Sequence, residues 1–373
     1  MGRFHLLTSL SILRCEKVRS ISEEYLSGLN SLKNVEMGPF WSELEEFPGL
    51  GLTSIPHRNI SIETLFLDGW DKIKSLPHQL QHFTALRELQ IRNFNGVEAF
   101  PEWLGDLSSL VSLSICSCNK LNRIPEECLG RLTRLKQLTM GPFYSESEEF
   151  PGLTSIHHLH ASLENLKLVG WDKLKSLPYQ LQHLTALKEL RIFSFTGVEA
   201  LPEWLGNLSS LTSLSIYRCN KLKSIPEECL GRLTCLESLS MGPFWSELEE
   251  YPGLSSIHHL HASLKDLTLE GWDKLKSLPH QLRHLTALLL LTINRFNGVQ
   301  TLPEWLGDLS SLRLLEILDC DNLTHLPSVK AMHRLSNLET FYIGNCSKLK
   351  ERCAKERGPE WPKISHIPQT YIG

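Results

Sequence analysis

The sequence predicts an α/β solenoid in which parallel strands stack unit upon unit, with short helices or irregular turns behind them. Three observations carry this expectation. The first is a copied block: Gly-Trp-Asp begins at Gly69, Gly170 and Gly271, and Pro-Glu-Trp-Leu-Gly at Pro101, Pro202 and Pro303, in steps of 101 residues. The second is a shorter unit inside it, of the form LxxLxLxxC, as in Leu211, Leu214, Ile216 and Cys219. The third is size. A compact chain of 373 residues with 41% hydrophobic residues should split into two or three domains, whereas a repeat array escapes that limit because each unit packs only on its neighbours.

The short unit starts at Leu7, Leu32, Ile62, Leu86, Leu110, Leu135 and Leu163, then at Leu187, Leu211, Leu236, Leu264, Leu288, Leu312 and Leu338. That is about 14 repeats, mostly 24 to 28 residues apart, which matches the roughly 20–29-residue period of leucine-rich repeats. Each element follows from the frame. The central LxL has the two-residue period of a strand, so its two apolar residues turn inward and the residue between them outward. The ninth position is Cys, Phe or Trp, buried where the chain leaves the strand. An apolar residue and often proline close the unit, as in Leu201-Pro202 and Ile225-Pro226. Proline ends strand pairing and suits the first turn of a short helix, and the acidic residues after it favour the positive helix end. The expected fold is a leucine-rich-repeat horseshoe with a parallel concave sheet and short helices or irregular turns on the convex side. Residues 1–350 form the repeat domain and 351–373 a C-terminal capping tail.

One unit of each block is longer and holds an acidic insert, Ser42 to Glu46, Ser145 to Glu149 and Ser246 to Glu250. It reads as a solvated loop, with a docking edge for a basic partner surface as the alternative.

Charge and composition exclude several classes of function. A formal net charge of −4 and a pI near 6.5 argue against a nucleic-acid or anionic-membrane partner. No apolar run reaches the length of a membrane span. The leucines of the N-terminus are in register with the first unit, which argues against a signal peptide, and Leu6 at the sixth position breaks a myristoylation motif at Gly2. Five of the ten cysteines (Cys15, Cys118, Cys219, Cys320, Cys346) occupy the ninth position of the unit, so buried reduced thiols and a cytoplasmic location are expected. No phosphate loop, nucleophile elbow or HExxH occurs, and no enzyme or cofactor is expected. The histidines of His157-His158-Leu159-His160 recur at His258 to His261 because the block was copied, while the first block has Pro56-His57-Arg58 there; no metal site is expected. Asn-x-Ser/Thr triplets at Asn59, Asn207, Asn322 and Asn345 are read as chance.

Comparison of the copies separates scaffold from surface. The inward triad barely changes: Leu110, Leu113 and Ile115 become Leu211, Leu214 and Ile216, then Leu312, Leu315 and Ile317. Outward positions change freely. Cys116 becomes Tyr217 and Leu318, Ser117 becomes Arg218 and Asp319, and Gln90 becomes Arg191 and Thr292. Change concentrated on the concave side marks a recognition surface, with relaxed constraint at exposed sites as the competing cause. Interface anchors are enriched in aromatic residues and arginine, so the candidate partner-binding residues are Arg191, Phe193, Tyr217, Arg218, Arg295 and Leu318.

The stretch LPEWLGNLSSLTSLSIYRCNKLKSIPE (201–227) resembles the repeats of plant intracellular disease-resistance proteins of the NB-ARC leucine-rich-repeat class with a coiled coil. So does the closing segment, with Cys346-Ser347-Lys348-Leu349, Arg352-Cys353 and Trp361-Pro362-Lys363-Ile364-Ser365-His366-Ile367-Pro368. Ser347 departs from the proline usual in that family. The resemblance implies a protein ligand, either a pathogen effector or a guarded host protein, and repeats that restrain a nucleotide switch. The NB-ARC module itself is expected only upstream of this sequence, which contains none of its motifs. A free-standing repeat adaptor or regulator, for example of a ubiquitin ligase, or a non-signalling relic, is the alternative.

Overall fold

A computed structural model describes residues 6–21, 31–48, 62–143 and 146–373 of the chain. The myristoylation position, the Pro56-His57-Arg58 stretch, Asn59 and Ser145 lie outside the described residues. The chain divides into two compact units, residues 1–174 with 178–187, and residues 175–177 with 188–373.

The first unit carries seven strands: β1 (Ser9–Leu13), β2 (Asn34–Gly38), β3 (Thr64–Asp68), β4 (Glu88–Arg92), β5 (Ser112–Cys116), β6 (Gln137–Met140) and β7 (Asn165–Val169). Each pairs in parallel with the next. The second carries eight: β8 (Glu189–Phe193), β9 (Ser213–Tyr217), β10 (Ser238–Gly242), β11 (Asp266–Glu270), β12 (Leu290–Asn294), β13 (Leu314–Leu318), β14 (Thr340–Gly344) and β15 (Gln369–Ile372). These too pair in sequence order and in parallel. Every one of the first fourteen strands starts two residues after the first apolar residue of its unit, so the LxL pair lands inside. Leu214 and Ile216 are fully buried, while Ser213, Ser215 and Tyr217 between and beside them stay half-buried. β15 belongs to the tail, where no LxxLxL frame exists.

The outer side is built from 3-10 turns rather than α-helices. Pro101, Pro202 and Pro303 stand just before five-residue 3-10 segments that begin at Glu102, Glu203 and Glu304. Proline therefore caps the segment instead of occupying its first position, and its carbonyl accepts the first turn bond, from Leu205 N to Pro202 O at 3.2 Å. Two six-residue α-helices follow late in the second unit, α1 (Val329–Arg334) and α2 (Ser347–Arg352). Among the described residues no helix is long and apolar enough to cross a membrane.

In eight of the repeats the residue before the ninth position has a shared conformation. Arg14, Asn93, Ser117, Ser194, Arg218, Arg295, Asp319 and Asn345 all have φ between 49° and 58°, the left-handed region that non-glycine residues rarely enter. The turn re-aims the chain so that the ninth side chain goes inside. It also lets the turning residue's own N–H extend the ladder, as from Arg295 N to Leu318 O at 3.0 Å. In the Met-Gly-Pro-Phe units glycine takes over at the strand end: Gly242 has φ 102°, and a Cβ there would collide with the carbonyl oxygen of Glu270.

The acidic inserts fold back on their own chain. The indole Nε1 of Trp70, Trp171 and Trp272 donates to the carbonyls of Leu44, Ser147 and Leu248, each at 2.7 Å. Lys173 pairs with Glu146 at 3.5 Å and Lys274 with Glu247 at 3.3 Å. Beneath the third insert, Tyr251 is buried against Trp272, with ring centroids 5.2 Å apart, and its hydroxyl donates to Met241 O at 2.6 Å.

Candidate functional site

Four of the six candidate residues come together at one end of the second unit's sheet. Phe193 closes β8 and Tyr217 closes β9, and the register places them side by side. Their rings stack with centroids 5.6 Å apart and planes inclined by 29°. Both remain half-buried, so each offers one aromatic face. Arg191, the middle residue of β8, is exposed and holds Glu189 through a 2.5 Å contact from Nε to Oε1. Arg218 stands one residue beyond β9 in the left-handed turn. Burial pushes the Tyr217 phenol above its ordinary value against a hydrogen bond with Ser240, and Glu270 and Asp266 push it further. The ring therefore stays neutral at physiological pH.

Arg295 and Leu318 form a separate group. Leu318 closes β13, four strands from Tyr217, which at ~4.8 Å per strand is roughly 19 Å. Arg295 is largely committed to its own chain: Nη1 lies 2.8 Å from Glu270 Oε1 and Nε 3.9 Å from Asp319 Oδ2. Its role is that of a counterion, because the Glu270 side chain is only 13% exposed and a carboxylate so placed needs a partner.

Between the two groups the sheet carries hydroxyls and acids that the sequence reading passed over. Ser215, Ser240, Thr268, Thr292 and Glu316 form one row across β9 to β13. Thr292, expected outward, is buried, and its hydroxyl donates to Glu316 Oε2 at 2.9 Å. Burial raises the Asp266 carboxyl and the charge of Glu316 raises it further. The row ends on Tyr342 and Tyr371 of β14 and β15, centroids 6.4 Å apart, with Tyr371 53% exposed. The frame itself could have found Asp266 and Glu316, since both fill outward strand positions; Tyr371 had no frame to reveal it.

Among the described residues, neither the histidines nor the cysteines assemble a site. His157 lies against His158 and His258 against His259, each with centroids 4.1 Å apart and planes tilted by 38°, and among the described residues no group of three His, Cys, Asp or Glu could hold a metal ion. Cys118, Cys219, Cys320 and Cys346 are buried at the ninth position, and Cys15 is half-buried.

A family model described as a leucine-rich repeat region matches residues 1–250, and one described as R13L1/DRL21 LRRs matches residues 281–346. The Arabidopsis thaliana disease resistance protein RPP4 is 32% identical over 111 residues, which is 30% of this chain and 8% of that protein. The probable disease resistance protein At5g66890 of the same plant is 29% identical over 101 residues, 27% of this chain and 23% of that protein. The matched stretches thus span less than a quarter of either relative. Among solved structures, Toll in the Drosophila Toll–Spatzle complex superposes with a TM-score of 0.62 at 18% identity, over 92% of this chain and 45% of that one. The fold is a leucine-rich-repeat solenoid, and the sequence resembles plant disease-resistance proteins.

Proposed function

The chain belongs to the leucine-rich repeat region family, and from that premise we propose that it is the recognition part of a plant disease-resistance receptor, binding a pathogen effector or a guarded host protein. Its concave sheet in the second unit is the binding face, and Arg191, Phe193, Tyr217 and Arg218 are its anchors, with Leu318 and the Arg295 group as a second contact. The observation that carries this reading is the Phe193–Tyr217 stack, an aromatic pair left half-open to solvent between two arginines. Aromatic residues and arginine are enriched among the residues that carry binding energy at protein interfaces, the aromatics through the large area they bury and arginine through its planar fork of donors. The scaffold does not need this pair: the preceding copy has Arg92 and Cys116 at the same places, and the following copy Asn294 and Leu318. The weak likeness to disease-resistance proteins supports the defence setting. An NB-ARC module, if one is joined to these repeats, is the second partner.

The test begins with a host or pathogen protein captured by the full chain in a two-hybrid screen. Arg218→Glu keeps the same backbone demand but reverses the charge, and it is expected to weaken that partner about tenfold while leaving the thermal melt in place. Unchanged affinity in the combined F193A/Y217A/R218E variant would remove this face from consideration.

A further inference from the structure

The first unit has a groove that the concave recognition face does not use. Where the chain enters strands β4 to β7, a recess of about 640 Å3 runs along their N-terminal ends. Arg87 and Lys136 stand immediately before β4 and β6, two strand spacings or about 10 Å apart, and Arg134 stands beside Lys136. Arg87 and Arg134 line this recess, and together with the bond from Lys33 the Arg87 charge helps to hold the Glu63 carboxyl beside it below its ordinary value. Lys136 pairs with Glu164 at 2.8 Å at the far end. Val111 and Ala161 supply apolar wall between the charges, and the hydroxyl oxygen of Ser162 is buried with no partner.

The copied block supplies an internal comparison. One step of 101 residues further on, Cys235 replaces Arg134, Glu237 replaces Lys136 and Lys265 replaces Glu164. Ser263 replaces Ser162 and holds the same unpartnered hydroxyl. Lys188 keeps the charge of Arg87, so the skeleton is common to both places, and the earlier one holds three cations against one carboxylate where the later holds two against one.

We propose that this groove docks an extended acidic segment of a protein partner. The cations are strung along the strand ladder instead of converging on one point, which suits carboxylates spaced along a peptide and not a single phosphate. Apolar wall between them accommodates the alternate side chains of an extended strand. Glu164 would repel a compact polyanion at the end of the groove, but it accepts from a backbone N–H.

The probe is a fluorescein-labelled peptide of alternating glutamate and valine, titrated into the full chain and followed by anisotropy. Saturable binding is expected, weakening several-fold as ionic strength rises from about 0.05 to 0.5 M. Arg134→Ser with Lys136→Glu should weaken it about tenfold or more. Both residues are exposed, so a matching circular-dichroism melt confirms that this variant folds. F193A/Y217A/R218E should bind the peptide like the parent, which separates the groove from the concave face. Absence of binding, equal binding of a lysine–valine peptide, displacement by stoichiometric pyrophosphate, or full binding by the charge variant overturns the proposal.

Discussion

Cysteine 219 shows how much one residue of the frame decides. A small apolar side chain at the ninth position fills the space behind the left-handed turn, and burial there pushes its thiol up to about 11, with Cys118 pushed to about 12. The folded protein thus retains protons that the unfolded chain, with thiols near 9, releases. Stability from these thiols is complete below about pH 9 and is lost as pH rises towards 11–12. Melting temperature should fall across that window, and less steeply in C118A/C219A; equal slopes would contradict the assignment. At pH 8 alkylation should reach exposed Cys235 well before Cys118 or Cys219, because the thiolate is the reactive form. Buried thiols at the repeated position were legible from sequence. The positive φ of Arg218 or Asp319 was not, since Arg, Ser, Asn and Asp all occur there and only backbone geometry reveals what they share.

At the scale of elements, the unit is a strand, a left-handed turn and an outer 3-10 segment, and the insert is tied to it by one indole. Trp272→Phe keeps an aromatic ring but removes the fused five-membered ring and leaves Leu248 O without its donor. The expected cost is about 1–3 kcal/mol, accompanied by faster hydrogen exchange at Glu247 to Tyr251; a variant with parent stability and exchange would show that the bond contributes nothing. Strand positions were readable because LxxLxL forces two residues inward whatever stands between them. The insert's anchoring was not, because Leu44, Ser147 and Leu248 accept through their carbonyls and side-chain identity carries no signal. The outer segments were expected as short helices or turns; proline at the cap and a glycine four residues later shorten them to 3-10. Of the candidate residues, the frame correctly placed Arg191, Phe193 and Tyr217 outward, but it could not show that Arg295 is held by Glu270 and Asp319.

At the scale of the whole molecule, the repeats from β2 onward bury their leucines in the same way, so what distinguishes one stretch from another is the exposed side chains. The end of the chain is secured differently. Glu360, 3% exposed, accepts from Leu326 N at 2.8 Å and pairs with Lys363 at 2.6 Å and Arg352 at 3.4 Å. Burial alone would raise its carboxyl, and the bonds from Lys363 and Leu326 outweigh that and hold it below the usual range. Glu360→Ala removes the carboxylate shared by Lys363 and Arg352 and leaves Lys363 its bond to Leu326 O, at a cost of about 1–3 kcal/mol, and should release β15 first. Uniform exchange protection along β14 and β15 in that variant would refute the link.

Recognition of a protein by the second unit's sheet is proposed to run through Phe193 and Tyr217. Hydrogen–deuterium exchange of the full chain, with and without a captured partner, tests it most directly. New protection is expected over Glu189 to Phe193 and Ser213 to Arg218, with the outer Pro202 to Asn207 segment between them unchanged. Protection confined to the outer segments, with β8 and β9 exchanging as in the free chain, would contradict it.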